Sequence, residues 1–243
     1  MELDLNNLLD GWEHEPGQIS VRKVVGRDGR DKLQMRIDMG LIQMEMDGRP
    51  DGKRPHGKAT CLEYHQERAA ESEGVYVLTA EDCGELQQEG VQYYHRYISL
   101  FQLEDFAGVV RDTQRNLDLF DFVAEHAEST ELVAAFEQYR AYVLMMRTRG
   151  EASLALESGN FALAEELVEA GKAEIEGVLA DEHKASSPEL EFLNLWLEDI
   201  REKRPVSKLE EMERELKDAI RDEAYERAAE LRDAIQELKR RKA

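Results

Sequence analysis

Apolar and polar residues alternate in the first fifth of the chain, which is typical of a β-strand with one apolar face. Five apolar residues share that face: Leu33, Met35, Ile37, Met39 and Leu41. After Gly40 the apolar positions shift by one residue, and we interpret the shift as a glycine bulge that bends the strand. Residues 19–25 form a partner strand, and Asp28-Gly29 between the two is a favoured hairpin turn. The pattern predicts an N-terminal tail over residues 1–17 and a β-hairpin module over residues 18–58.

From Thr79 onward the apolar spacing becomes helical. Thr79-Ala80-Glu81-Asp82 resembles a capping box, and Ser187-Pro188 and Ser207-Lys208-Leu209-Glu210 are two further helix starts. Pro205 precedes the last of these starts and is the predicted domain boundary. Helices are predicted near residues 80–101, 105–126, 130–157, 161–181, 188–203, 207–221 and 224–241.

Three predicted helix junctions look alike, because each places an aromatic residue just inside a new helix. They are Glu104-Asp105-Phe106, Gly159-Asn160-Phe161 and Glu223-Ala224-Tyr225. Small residues follow the aromatic, as in antiparallel helix pairs whose backbones approach closely. The copies are unequally spaced and too far apart for a regular tetratricopeptide (TPR) array. They predict an acidic, TPR-like helical domain over residues 59–204, and both a closed bundle and an open solenoid with a peptide groove fit this pattern.

These elements together predict a mainly α protein of the α+β class. A two-stranded hairpin is marginal in water, so its apolar face must lie on the helices that follow. The predicted fold is therefore an N-terminal β-hairpin packed on a TPR-like antiparallel helical bundle, with a helical hairpin over residues 205–243.

Charge is concentrated in the middle of the chain. The formal net charge is −21, and residues 59–205 hold 12 basic and 31 acidic side chains, so this segment alone carries −19. An acidic body repels phosphate backbones, which argues against direct nucleic-acid binding. No apolar run is long enough to span a bilayer, and residues 1–5 lack the start of a signal peptide. We therefore expect a cytoplasmic protein that does not bind membranes.

The residue patterns that mark catalytic and metal sites are missing from the sequence. The six histidines are scattered, and Cys61 and Cys83 fit neither a disulfide framework nor a zinc site, so we expect both thiols to be reduced and structural. No nucleophile elbow or dinucleotide fingerprint occurs. We predict no catalytic residues, no metal and no cofactor, and hence no enzyme activity.

One loop comes close to a phosphate-binding motif. Residues 52–59 have the spacing of a phosphate loop, but Ala59 stands where a hydroxyl is needed for magnesium. Turn-forming residues explain the loop equally well. Its basic side chains could hold an anion or could dock on the acidic body. The candidate anion-binding residues are Arg49, Lys53, Arg54 and Lys58.

The C-terminal segment carries apolar residues at helical spacing on either side of a polar turn, which predicts a two-helix antiparallel hairpin. Two such helices bury too little apolar surface to stand alone, so something must cover the open side. That cover is either a partner protein or the body of the same chain.

Residues 225–235, Tyr-Glu-Arg-Ala-Ala-Glu-Leu-Arg-Asp-Ala-Ile, resemble the UVR motif shared by the excision-repair proteins UvrB and UvrC. The paired alanines and the Arg-Asp pair match the motif, while Tyr225 replaces its phenylalanine. Met212, Leu216 and Ile220 occupy its leading apolar positions. The resemblance covers residues 207–243, and residues 21–55 look like the front of other bacterial proteins that carry the motif.

The resemblance implies a docking element that associates with another UVR-type hairpin, either on a different protein or on a second copy of this chain. It therefore implies a non-enzymatic adaptor or scaffold. The alternative is an accessory factor of nucleotide excision repair, or of another nucleic-acid process, recruited through the motif. The candidate partner-binding residues are Leu209, Met212, Leu216, Ile220, Tyr225, Ala228, Ala229, Leu231, Arg232, Asp233, Ile235 and Leu238.

Overall fold

The computed structural model describes residues 4–205 and 208–242, while the side chains of 208–211, 213, 238, 239, 241 and 242 lie outside the described set. The chain divides into two compact units, Met1–Glu198 and Asp199–Ala243. A small antiparallel sheet and a series of packed helices make up most of the first unit, and the second contains a helical hairpin. This architecture confirms the predicted mainly helical α+β class.

Helices account for most of the described chain. None of the described helices is long and apolar enough to cross a membrane. In chain order they are α1 (Asn6–Leu9), α2 (Cys61–Glu71), α3 (Ala80–Gln102), α4 (Phe106–His126), α5 (Thr130–Glu137), α6 (Arg140–Glu157), α7 (Phe161–Val178), α8 (Asp181–Lys184), α9 (Pro188–Lys203), α10 (Lys208–Arg221) and α11 (Tyr225–Lys242), with a 3-10 turn at Pro55–Gly57 before α2.

The N-terminal sheet has three strands, β1 (Ser20–Val25), β2 (Asp31–Ile37) and β3 (Gly40–Glu45), paired antiparallel in that order. The predicted bulge at Gly40 is wrong, because the chain reverses there. Ile37 pairs with Gly40 across a two-residue turn that forms a second hairpin. In this register each odd-numbered residue of β2 lies opposite an even-numbered residue of β3, and paired residues share a face of the sheet. The apolar residues are therefore odd-numbered before the turn and even-numbered after it. The shift in the sequence pattern therefore marks a hairpin turn and not a bend.

The sheet packs its apolar face against the helices, as predicted. Leu33, Met35 and Met44 are buried on this face, and strands β1 and β2 contact α3. Burial of these side chains compensates for the small size of the sheet, which would be marginal in water by itself.

The opposite face of the sheet is polar and is covered by the N-terminal segment. Arg22 donates from Nε to Gln34 Oε1 at 2.8 Å and from Nη2 to the carbonyl oxygen of Leu8 at 2.8 Å. Its guanidinium also stacks over the ring of Trp12, 4.0 Å from the centroid. Trp12 Nε1 in turn donates to Ser20 Oγ at 2.7 Å. Residues 8–20 are thus held to the sheet by polar and cation–π contacts.

The single helix predicted over residues 130–157 is wrong, because the chain breaks into α5 and α6 at Gln138 and Tyr139. The Tyr139 N–H donates to the carbonyl oxygen of Phe136, three residues back, at 3.0 Å, which tightens the chain into a 3-10 turn. Phe136 is buried with its ring centroid 5.9 Å from that of Phe120. The apolar spacing continues through the break, so periodicity does not reveal it.

Helix α2 is not among the predicted helices. It begins after Thr60, whose side chain accepts a hydrogen bond from the Glu63 N–H at 3.0 Å. Cys61, in its first turn, is a free and buried thiol, as is Cys83 in α3. Burial raises the pKa of Cys61 to about 12, so this thiol stays protonated at neutral pH.

A buried ion pair joins α3 to α4. Arg96 donates from Nε and Nη2 to the two carboxylate oxygens of Asp112 at 2.6 and 2.8 Å, and both side chains are only 1% exposed. Arg96 Nη1 also donates to the carbonyl oxygens of Glu45 and Gly48, at 3.2 and 2.8 Å. Since Glu45 ends β3, one guanidinium fixes the end of the sheet to two helices.

The three helix junctions that look alike in the sequence are built alike in the structure. Glu104, Gly159 and Glu223 have φ values of 59°, 72° and 57°, in the left-handed region. At each junction the N–H of the following residue donates to a carbonyl oxygen five residues back, at 2.8 to 2.9 Å. This is the helix-ending hydrogen bond of the Schellman motif. The three junctions therefore have similar sequences because they form the same backbone turn.

We expect the change Asp112→Asn to destabilise the first unit by about 3–5 kcal/mol, because it leaves the charge of Arg96 buried without a counter-ion. Urea unfolding followed by circular dichroism measures the change. Asp118→Asn, at an exposed position of the same helix, is the matched control and should stay within about 0.5 kcal/mol of the wild type. Equal unfolding midpoints for the two variants would show that the ion pair does not hold the unit together.

Candidate functional site

The C-terminal hairpin is formed by α10 and α11, which contact each other along their length. The turn between them contains Glu223, and the Ala224 N–H donates to the carbonyl oxygen of Ala219 at 2.8 Å. Across the pair, Arg227 Nη2 lies 3.0 Å from Glu215 Oε2. The local sequence thus produces a tight antiparallel turn, and an ion pair joins the two helices near it.

Part of the predicted apolar seam is used inside the hairpin. Ala219, Ala228 and Leu231 form a buried cluster, and the partly buried Met212 and Leu216 pack against it. Ile235 is also buried. Small residues at the centre of the cluster allow the two helices to approach closely. These side chains hold the hairpin together and are not free for a partner.

The remaining described candidates face solvent. Ile220 and Tyr225 are 54% and 68% exposed, although both are large and apolar. Ala229 is exposed, and Arg232 and Asp233 are exposed and paired with each other at 2.9 Å. The side chains of Leu209 and Leu238 lie outside the described residues. The candidate set therefore separates into an interior group and an exposed group, which we call the outer patch (Ile220, Tyr225, Ala229, Arg232 and Asp233).

Comparison with known families identifies this segment. The family model described as the UvrB/uvrC motif (UVR) matches residues 207–241. The C-terminal hairpin is a UVR motif. No curated protein and no solved structure matched the chain. The predicted resemblance is confirmed over residues 207–241, which include α10, the turn and nearly all of α11, so we call this element the UVR hairpin.

The structure does not bring the four basic residues of the loop together as one site. Arg49 Nε lies 2.9 Å from a carboxylate oxygen of Glu89, and Lys58 pairs with Glu67 of α2. The contact with Glu67 raises the pKa of Lys58. Lys53 and Arg54 are exposed, and no ion pair to them is found among the described residues. The acidic body thus holds two of the four side chains.

A carboxylate occupies the position that a phosphate would take at the start of α2. Glu89 of α3 is fully buried, and its carboxylate oxygens accept hydrogen bonds from the N–H groups of Cys61 and Leu62 at 2.8 and 3.2 Å. It also pairs with Arg115 of α4. The preceding Ala59 N–H donates to Glu63 Oε2 at 2.7 Å. The partial positive charge at the N-terminus of α2, which attracts anions, is therefore already neutralised by carboxylates of the protein itself.

Sequence reasoning missed Glu89, although it organises this region. Glu89 lies 28 and 27 residues along the chain from the two N–H groups it caps. Nothing in the local pattern distinguishes it from the many other glutamates of an acidic chain. Among the described residues, no group of three histidine, cysteine or acidic side chains is arranged to hold a metal ion.

We expect Glu223→Gly to stabilise the UVR hairpin by about 1 kcal/mol. A side chain in the left-handed region costs about 1–2 kcal/mol, and the greater freedom of glycine in the unfolded chain removes part of this gain. Amide hydrogen exchange of α10 and α11 in the full-length protein measures the change, which corresponds to roughly fivefold slower exchange.

Asp222→Gly is the matched control, since this neighbour has the same charge and no positive φ. It should weaken protection, because glycine there adds only freedom to the unfolded chain. Faster exchange in both variants would contradict the strain assigned to Glu223.

Proposed function

We propose that this protein is a non-enzymatic adaptor that binds other proteins through its UVR hairpin. The observation that carries the proposal is the exposure of Ile220 and Tyr225 on a hairpin whose interior is already packed. Because the interior of the hairpin is already packed, these two large side chains are available to a partner protein. The proposed partner is a protein that bears a UVR-type hairpin, or a second copy of this chain.

The outer patch has the composition of a small docking surface. Tyrosine is enriched at protein interfaces because it buries a large ring and keeps a polar end. Tyr225 and Ile220 would supply affinity, and the flanking Arg232 and Asp233 would select the partner, since exposed charges discriminate better than they stabilise. A hairpin of this size gains stability when a partner covers its exposed apolar residues.

The absence of catalysis and the cytoplasmic location are further parts of the proposal. Two of the four candidate anion-binding residues, Arg49 and Lys58, pair with glutamates. The N–H groups of Cys61 and Leu62 are capped by Glu89. This arrangement supports a structural loop and gives no support to a nucleotide site.

We expect the double change Ile220→Asp and Tyr225→Asp to weaken association about tenfold to a hundredfold, because it removes both apolar contacts of the outer patch. The measurements are the light-scattering mass of the full-length protein over a concentration series and its titration with a second UVR-containing protein. Aspartate at Leu231 or Ile235 would be less informative, since these side chains are buried and the hairpin itself would unfold.

The double change Ala234→Asp and Gln236→Asp is the matched control. It adds the same charge at two exposed positions of α11 that are not in the outer patch. Association should then remain within about twofold of the wild type. An unchanged mass and an unchanged titration in the Ile220 and Tyr225 variant would remove the outer patch as the docking surface.

The second candidate function is an accessory factor of nucleotide excision repair or of another nucleic-acid process. Two observations favour it: the motif is that of UvrB and UvrC, and the cations Lys53 and Arg54 are exposed. In this case the hairpin would recruit the repair proteins, and the loop would contact phosphate. Direct contact must overcome the formal charge of −21.

The adaptor proposal predicts that a labelled DNA duplex does not bind at low salt, because the acidic body repels it. Fluorescence anisotropy of the duplex, titrated with full-length protein, measures this. Saturable binding that weakens steeply with salt, and that Lys53→Ala with Arg54→Ala abolishes, would instead establish the second candidate. Lys23→Ala with Arg27→Ala, which removes the same charge from the β1 region, is the control.

A further inference from the structure

The first unit contains a cavity of about 460 Å³ between α3, α4, α5 and α6. Cavities that hold small molecules measure roughly 300–1,000 Å³ and have mainly apolar and aromatic walls. Six aromatic side chains line this one, besides His95: Tyr94, Tyr97, Phe120, Phe136, Tyr139 and Tyr142. We call it the tyrosine cavity.

The walls of the tyrosine cavity carry no formal charge. Asp, Glu, Lys and Arg make up 35% of the chain, yet none is among the described residues that line it. The one titratable nitrogen base on the wall is His95, and burial lowers the pKa of its imidazole. His95 is therefore neutral at pH 7. A charged ligand would lose its hydration without gaining a counter-ion, so the cavity selects against it.

The shape of the cavity is fixed by ring contacts that exist without a ligand. Tyr94 and Tyr97 meet edge to face, with centroids 5.5 Å apart and planes at 90°. Tyr94 also lies 6.2 Å from Tyr142, and Phe120 packs at 67° to Phe136. Such edge-to-face pairs hold rings in defined orientations. The aromatic walls are thus formed in advance, which reduces the ordering that binding would require.

Several polar groups on the wall are not used by the protein. Tyr97 is 1% exposed, and no hydrogen bond to its hydroxyl is found among the described residues. The same holds for the hydroxyls of Tyr94 and Tyr142 and for the imidazole of His95. Tyr97 is buried and Tyr94 is 38% exposed, and the free hydroxyls and imidazole are open to hydrogen bonds with a bound molecule. In contrast, the Asn116 amide is occupied by the carbonyl oxygen of Gly90 at 3.0 Å.

We propose that the tyrosine cavity binds an uncharged small molecule of two or three aromatic rings. A cavity of about 150 Å³ holds one benzene, so the volume of this one matches roughly three rings. A partner's tyrosine or tryptophan side chain would fill less than this and leave walls uncovered, so the size favours a free compound. This activity is separate from the proposed docking function and uses none of the residues of the UVR hairpin.

Titration of the full-length protein with N-phenyl-1-naphthylamine tests the proposal. This probe is uncharged, has three rings and becomes fluorescent in apolar surroundings. We expect saturable binding of one probe per chain. Its sulfonated analogue, 8-anilino-1-naphthalenesulfonate, has the same rings and a negative charge. We expect its affinity to be lower than that of the neutral probe by a factor of about ten or more.

Two variants fill the cavity, and each has a matched control on the same helix. Ala135→Trp adds a ring to the wall from α5, while Ala134→Trp adds it on the exposed side. Val91→Trp fills the rim from α3, where it is 47% exposed and folding is not at risk, and Gln88→Trp is its control. The filling variants should weaken probe binding by about tenfold, and the controls by less than about twofold. Thermal unfolding of each variant verifies that the fold is retained.

Three results would overturn the proposal: no saturable binding of the neutral probe, equal affinity for the sulfonated analogue, or unchanged binding in both filling variants. A fourth concerns the type of ligand. If the peptide acetyl-Ala-Trp-Ala-amide displaces the probe with a higher affinity than the probe itself has, the cavity receives a side chain of a partner protein, and the assignment to a small molecule is wrong.

Discussion

The buried guanidinium of Arg96 is the constraint on which the first unit depends. A charge that leaves water must have its counter-ion and its hydrogen bonds supplied by the protein, or the fold loses several kcal/mol. Asp112 supplies the counter-ion from α4, and the carbonyl oxygens of Glu45 and Gly48 supply the rest. These requirements fix the spacing of α3 and α4 and the position of the end of β3. The three-stranded sheet, which is too small to be stable by itself, is thereby fixed to the helices.

Other arginines of this unit also contact buried carboxylates. Arg49 and Arg115 lie against the buried Glu89, and Arg111 donates to Asp112. The excess of 19 negative charges between residues 59 and 205 follows from composition, since this segment holds 12 basic and 31 acidic side chains. In this acidic unit the described lining of the tyrosine cavity carries no formal charge, so an uncharged ligand that binds there strips water from no carboxylate.

The UVR hairpin reuses a helix pair that also occurs inside the first unit. Ala155 and Ala164 of the α6–α7 pair have their counterparts in Ala219 and Ala228, at the same distances from the junction, and all four are buried. The difference lies four residues after the second alanine. Val168 is fully buried in α7, whereas Arg232 at the matching position of α11 is exposed. One backbone turn thus serves an interior pair and a pair with a polar, solvent-facing side.

The sequence by itself determined most of the helices, the shared junctions and the UVR motif, because each is set by residues within a few positions of one another. The capping box at Thr79 forms as predicted. The second hairpin is also encoded locally, because its two-residue turn shifts the apolar positions by one residue. A glycine bulge produces the same shift, so the pattern alone does not distinguish the two. The break at Gln138 and Tyr139 leaves the apolar spacing intact and so left no trace in the pattern.

Only the tertiary structure decided which carboxylate meets which arginine, where the tyrosine cavity lies and which seam residues stay exposed. Periodicity tells which face of a helix is apolar, but the partners of that face come from residues distant in sequence. Glu89 caps α2 across 28 residues, and Arg96 reaches Gly48 across 48. In a chain with 53 acidic side chains, such pairings follow from packing geometry, because composition offers too many equivalent partners to choose among.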